Sequence, residues 1–346
     1  MTSDSLFHSF DVFRQSFVDR LAALLEEPQP GSFILVLANA IYDEHIHALL
    51  QTRLEQRFSE LSDGLRQQLI TGQGLEAPED DLLVFLKLMA VGLENLQPTQ
   101  FRRAGPWELQ FNPVRAFRPP RMSNTAITGL HAPFDPQGFH FNKPFLRKEI
   151  LWEGELLGDH CRLLYNKFPF APLHGLLVVE PDEKHPQYLG KFAHEHAWQL
   201  LEHLGNTLPD CGFGYSARGA YSSVNHQHLQ MYVGKTGGYP VEQPLWQHNG
   251  GSEAYPLDCQ VFGSVVDSWR FIDELHGANH SYNLLYRPGR LYVLPRAMQG
   301  SYTHAGWTGG FAWAETAGAI TTFSEPQYRQ LTAQDIVTEM EKLQCP

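Results

Sequence analysis

The chain has little charge, little cysteine and no long apolar run. Asp, Glu, Lys and Arg together make up 18 % of its 346 residues, below the usual quarter. The charge that is present leans acidic, a formal −12 at pH 7, whereas a duplex binder needs cations to neutralise phosphates. This argues against a nucleic-acid partner and leaves room for a small phosphorylated ligand, which a local cluster of donors can hold. The cysteines are Cys161, Cys211, Cys259 and Cys345, no two of them close and none in a Cys-x-x-Cys. That usage fits reduced thiols in a cytoplasmic protein better than a disulfide framework. No apolar stretch reaches the ~18 residues of a membrane span. Met1 to Asp11 lacks a basic segment followed by an apolar one, so neither a membrane partner nor a signal peptide is expected.

Histidine, proline and aromatic residues fill the gap, with 17 His, 23 Pro and 12 % aromatics. Three regions follow from their distribution. Residues 1–100 predict a helical N-terminal extension. Phe17, Leu21, Leu24 and Leu25 recur at helical spacing, Leu54 to Leu69 is a charged helix, and Leu82 to Met89 is a more apolar one. This third carries no catalytic signature and reads as scaffold or as the surface of a homodimer. From Phe101 the texture changes, with prolines at 106, 113, 119, 120, 133, 136 and 144 predicting extended segments and turns. Short strands follow over Cys161–Lys167, Leu176–Val179, Gly212–Gly219 and His228–Val233. An amphipathic helix is expected over Leu189–Leu204, with His194, His196 and His203 on a solvated or half-buried face. Residues 234–258 are a Gly- and Pro-rich connection.

An internal echo suggests two units. Tyr165-Asn166 followed by Leu176 to Pro181 is repeated as Tyr282-Asn283 followed by Leu291 to Pro295. We therefore expect an α+β fold of two related antiparallel-sheet units with helices, the first over 101–240 and a second, degenerate one over 241–346. Arg287, Arg290 and Arg296 flank that second unit; one could reach a phosphate, with a surface position the default reading.

The chemistry concentrates in Ser223-Val224-Asn225-His226-Gln227-His228-Leu229-Gln230. Residues two apart share a strand face, so His226, His228 and Gln230 would form one polar row. Incidental histidines on an exposed strand edge would produce the same pattern. So would a zinc site, with the remaining ligands drawn from His185, His194, His196 or Cys161. A third reading is covalent catalysis. A neutral imidazole attacks phosphorus when its far nitrogen donates to a fixed acceptor. The Ser223 hydroxyl could then donate to a phosphate oxygen, and the small residues Gly219, Ala220 and Ser222 leave backbone N–H groups free to approach it.

The run Ser223 to Met231 resembles the histidine-triad superfamily pattern in its His-x-His-x-Gln form. That form is similar to the superfamily's transferase branch, which holds galactose-1-phosphate uridylyltransferases, diadenosine tetraphosphate phosphorylases and GDP-hexose phosphorylases. Tyr165-Asn166-Lys167-Phe168-Pro169-Phe170-Ala171-Pro172-Leu173-His174 resembles the superfamily's other strand pair. Gly219 to His226 and Pro133 to Lys143 look like segments of the GDP-hexose phosphorylases, and Phe111-Asn112-Pro113 like the diadenosine phosphorylases. The resemblance implies a histidine-triad-like fold and a nucleotidyltransferase or phosphorylase acting on a nucleoside diphosphate sugar or dinucleoside polyphosphate. In it His228 would attack the α-phosphorus, His226 would support the geometry and Gln230 would bond the transferred phosphoryl group. Asn166 would meet the ribose, and Ser223, Asn225, Lys167 and His174 complete the substrate contacts.

An amide at 230 cannot shuttle a proton, which favours phosphate leaving groups and hence transfer over hydrolysis. No cofactor is required by this scheme, although Mg²⁺ could accompany the substrate's phosphates. Without a Cys-x-x-Cys, a structural zinc is not expected. The alternatives are a nucleotide sensor on the same fold and a zinc-stabilised scaffold.

Overall fold

The computed structural model describes residues 6–74, 77–118 and 125–345. Pro119, Pro120 and the first residues of the N-terminal segment lie outside them. The helical extension comprises α1 (Phe10–Leu24), α2 (Pro30–Tyr42), α3 (Glu44–Thr71) and α4 (Glu79–Val91). Helix α2 carries no polar stripe in its sequence, Phe-Ile-Leu-Val-Leu-Ala, and is accordingly buried from Gly31 to Ile41. It forms the axis against which α3 and α4 pack.

Next come β1 (Gln100–Ala104), β2 (Trp107–Phe111), α5 (Pro113–Ala116), β3 (Ile150–Leu156), β4 (Asp159–Tyr165) and β5 (Gly175–Val179). They are followed by α6 (Lys191–Gly205), β6 (Gly212–Ser216), β7 (Leu229–Tyr232), β8 (Gln260–Phe262), α7 (Val265–Gly277), β9 (Ser281–Arg287) and β10 (Arg290–Arg296). The chain ends with α8 (Trp313–Thr316), β11 (Ala319–Thr322), α9 (Glu325–Gln330) and α10 (Ala333–Glu341). Eight strands form one sheet in the order β3-β4-β5-β7-β6-β9-β10-β8, with every neighbouring pair antiparallel. Strands β1 and β2 pair with the distant β11 in a separate three-stranded sheet.

Both faces of the large sheet are covered. Side chains such as Leu163, Leu177, Phe213, Met231, Leu284 and Val293 join α1, α6 and α7 in the main core. The alternate side chains face the other way. There Tyr232, Leu285, Tyr292 and Leu294 pack beneath Trp313 and the small sheet, while Leu164 and Val178 pack beneath Phe141 and Leu146. The strip between these two apolar clusters carries the polar row discussed below.

Three expectations need correction. The Tyr-Asn echo joins positions that are not equivalent, because Tyr165 ends β4 whereas Tyr282 is the second residue of β9. The matching units are α6-β6-β7 and α7-β9-β10, which meet where β6 pairs with β9. The histidine pair precedes β7 and lies outside it, the strand beginning at Leu229. On α6, His194 and His196 belong to the buried side. His194 bonds Tyr286 at 2.7 Å and Ser268 at 3.0 Å, and His196 pairs with Asp159 at 2.9 Å.

Candidate active site

The segment leading into β7 is held extended from both sides. Gln187 works as a backbone clamp, its Oε1 accepting from the His228 N–H at 3.0 Å and its Nε2 donating to the Ser216 carbonyl at 3.1 Å and the His228 carbonyl at 3.4 Å. Asn225 is spent in the same way. Its Oδ1 accepts from the Gln187 N–H at 3.0 Å, and its Nδ2 donates to the carbonyls of Ala132 and Pro133 at 3.2 and 2.8 Å. These bonds make Asn225 a tie between the strap 132–141 and the histidine segment.

The two histidines are fixed differently. His226 Nδ1 accepts from the Phe141 N–H at 3.1 Å, and the ring also bonds the Pro181 carbonyl. Both its nitrogens thus serve the framework. His228 Nδ1 lies 2.8 Å from the His226 carbonyl, which can only accept, so the proton sits on Nδ1 and the lone pair on Nε2. Among the described residues Nε2 has no protein partner, and it is not sealed from solvent. The Phe141 ring meets the His228 ring edge-on at 5.0 Å. Burial pushes both rings' pKa down to about 4, so both are neutral at physiological pH. The residue as a whole is 7 % exposed. A cleft of about 890 Å³ borders Phe141, Asn142, Arg162 and Asp182 and stops short of the histidines.

On the same face, Gln230 pairs in register with Leu176 and Gly214. Its Oε1 is buried with no hydrogen-bond partner among the described residues. The amide lies beside His174, which is fully buried and pushed down to about 3, first by desolvation and then by Arg115. Asn166 closes the β4–β5 loop. Its N–H donates to the His174 carbonyl at 3.0 Å, its Oδ1 accepts from Phe168 N–H at 3.0 Å, and its Nδ2 lies 3.4 Å from His174 Nε2. The structure therefore groups Asn166, His174 and Gln230, with His228 two residues before Gln230. Ser223 is exposed on the loop before the pair. Lys167 turns toward the helical extension, where its ammonium pairs with Asp81 of α4 at 2.5 Å. The extended Tyr-Asn-Lys backbone turns successive side chains apart, and the helical extension captures the third.

Sequence reasoning missed Gln187, Ser216, Asn283 and Arg296. Nothing near Gln187 marks it. Arg296, expected at the surface, is 1 % exposed. A further close approach marks this face: a Cβ on Gly214 would overlap the Trp313 ring.

The site thus combines an antiparallel sheet that has a helix across one face with a His-x-His-x-Gln segment entering a central strand on the other. Residues 107–232 match the family model described as GDPGP1-like, N-terminal domain. The chain is 34 % identical over 107 residues to GDP-D-glucose phosphorylase 1 of Danio rerio, covering 31 % of this chain and 30 % of that protein. It is 31 % identical over 169 residues to GDP-D-glucose phosphorylase 1 of Homo sapiens, covering 46 % of this chain and 42 % of that protein. The matched stretches thus span less than half of these relatives' length. The fold is similar to that of the yeast Ap4A phosphorylase Apa2, with a TM-score of 0.50 at 16 % identity over 78 % of this chain and 97 % of that one.

Proposed function

We propose that this protein is a phosphorylase of nucleoside diphosphate sugars that works through a nucleotidyl-His228 intermediate. The observation that carries the reading is the His228 ring, whose Nδ1–H is fixed on the His226 carbonyl while Nε2 has no protein partner among the described residues. The name of the sequence relatives, GDP-D-glucose phosphorylase 1, supports a nucleotide sugar as donor. A dinucleoside polyphosphate is the coarser alternative within the same chemistry.

The reaction balances in two displacements. His228 Nε2 attacks the α-phosphorus, the new N–P bond forms, and the P–O bond to the β-phosphate breaks. A sugar 1-phosphate departs with that electron pair. It needs no proton, which suits an amide at 230. The phosphorylated ring keeps its Nδ1 proton and becomes cationic, and the His226 carbonyl stabilises that charge. Orthophosphate then attacks the same phosphorus, releasing His228 and giving a nucleoside diphosphate. Gln230 and Ser223 are assigned to the phosphoryl oxygens, and Asn166 with His174 to the ribose side. Asn225 acts by holding the segment. No step is routed through a metal, and Mg²⁺ can travel with the substrate's phosphates.

The test is a panel of guanine, adenine and uracil diphosphate hexoses and a dinucleoside tetraphosphate, each with and without orthophosphate. Consumption that requires phosphate and yields a nucleoside diphosphate with a sugar 1-phosphate is expected for at least one hexose. Absence of phosphate-dependent turnover across the panel overturns the reading.

A further inference from the structure

Strands β9 and β10 contain no histidine, yet they send a row of buried polar groups toward His228. The row starts at Arg296, which pairs with no carboxylate among the described residues. Its Nη1 donates to Asn283 Oδ1 at 3.2 Å and to the Phe311 carbonyl, its Nη2 to the Tyr302 hydroxyl at 2.7 Å, and its Nε to the Ala297 carbonyl at 3.3 Å. The guanidinium also lies over the Tyr221 ring at 5.2 Å. A buried cation held only by neutral acceptors and rings projects its field through a low-dielectric interior. The nearby Glu339 is occupied by the Ala305 N–H at 3.0 and 3.1 Å and by Lys342 at 2.7 Å.

Arginine can only donate, so its contact fixes which end of the Asn283 amide is oxygen. The other end, Nδ2, donates to Ser216 Oγ at 2.9 Å and to the Ala220 carbonyl at 3.3 Å. Ser216 Oγ is thereby an acceptor on its Asn283 side, and its own proton must point elsewhere. Ser216 lies across the Gln187 side chain from His228. The β6–β7 ladder runs from Gly212↔Tyr232 to Gly214↔Gln230 and stops two residues short of them, and alternation along β6 puts Ser216 on the face of Gly212 and Gly214. The Gln187 clamp joins the same two backbones.

We propose that Arg296 and Asn283 hold the Ser216 hydroxyl as a donor to a non-bridging oxygen of the phosphoryl group attacked by His228. The unit whose strands carry no histidine then supplies charge stabilisation to the unit with the His-x-His pair. This rests on the His228 reading given above. Ser216 touches the substrate, while Asn283 and Arg296 are positioning residues.

The discriminating variant is Asn283→Asp. It keeps the partner of Arg296 but can only accept, so the Ser216 hydroxyl swings round to donate into it. Nucleotidyl transfer to His228 should fall about 10²-fold in Ser216→Ala and by a similar factor in Asn283→Asp, with KM within about threefold. The double variant should fall no further, because both changes remove one donor. Ser216→Thr, which restores a hydroxyl, should recover most of the rate. A second readout is binding of GMP against guanosine by calorimetry. Both Ser216→Ala and Asn283→Asp should weaken GMP several-fold and leave guanosine unchanged. Asn283→Asp at the wild-type rate and affinity, or a double variant as slow as the product of the singles, overturns the relay. If the wild type binds GMP with this dependence but never forms an adduct, the relay stands and the catalytic reading falls.

Discussion

The units α6-β6-β7 and α7-β9-β10 follow the same helix-strand-strand order and meet across β6 and β9, but the chemistry on the sheet face away from their helices differs. On β7 and the residue pair before it, the face away from the helices carries His228, Gln230 and Tyr232. On β10 the same face carries Tyr292, Leu294 and Arg296. The first unit presents a neutral ring with a free lone pair, and the second a buried cation. A duplicated scaffold thus specifies where a side chain stands, while the residues at strand ends decide whether that position attacks, stabilises or merely packs.

Acid should separate the two units with the largest effect. His174 is held down at about 3, and His226 and His228 at about 4, against an ordinary 6.5. All three belong to the first unit's site. Their folded-state pKa lies below the unfolded one, so the unfolded chain binds more protons below pH 6.5. Stability is therefore complete above about pH 6.5 and is lost as the pH falls toward 4. A ring moved from 6.5 to about 4 contributes a loss of about 3 kcal/mol by that point. The urea midpoint should drop steadily from pH 6.5 to 4.5. Amide exchange at Leu229 to Met231 should accelerate before that at Tyr292 and Val293. Equal loss of protection in both strands would show that the buried histidines do not distinguish the units.

A smaller effect probes how the small-sheet layer seats on β6. Gly214→Ala places a methyl group inside the Trp313 ring, and overpacking of this kind costs about 1–3 kcal/mol. The same substitution at the exposed Gly64 of α3, where a Cβ meets nothing within 4 Å, should be neutral or stabilising. Thermal denaturation of the two variants checks this, and a neutral Gly214→Ala would mean that the layer is loosely seated.

Much of this was legible in the sequence because it is local. Helix α6 follows from its apolar stripe, and β4 and β5 from short β-branched and leucine runs. The histidine segment stands out because two imidazoles and an amide alternate where an ordinary strand would alternate apolar residues. The rest depends on distant partners. Lys167 has Asp81, 86 residues away, to choose it. His194 looks like a polar-face residue until Tyr286 and Ser268 arrive to satisfy it. Arg296 reads as surface until Asn283, Phe311 and Tyr302 converge on it. The Tyr-Asn echo misled because similar strings can occupy opposite ends of strands, and pairing register is invisible in a single chain.

The central claim is that His228 becomes covalently nucleotidylated. Incubation with a nucleoside diphosphate hexose in the absence of phosphate, an alkaline quench and peptide mass mapping tests it directly. The account predicts a mass increase of one nucleoside monophosphate on the peptide containing His228, labile to acid, stable to alkali and discharged by orthophosphate. It predicts no adduct in His228→Asn, which keeps a polar side chain while removing the nucleophile. An adduct that persists in that variant or maps to another residue would contradict the account. So would phosphate-dependent turnover with no adduct at any time.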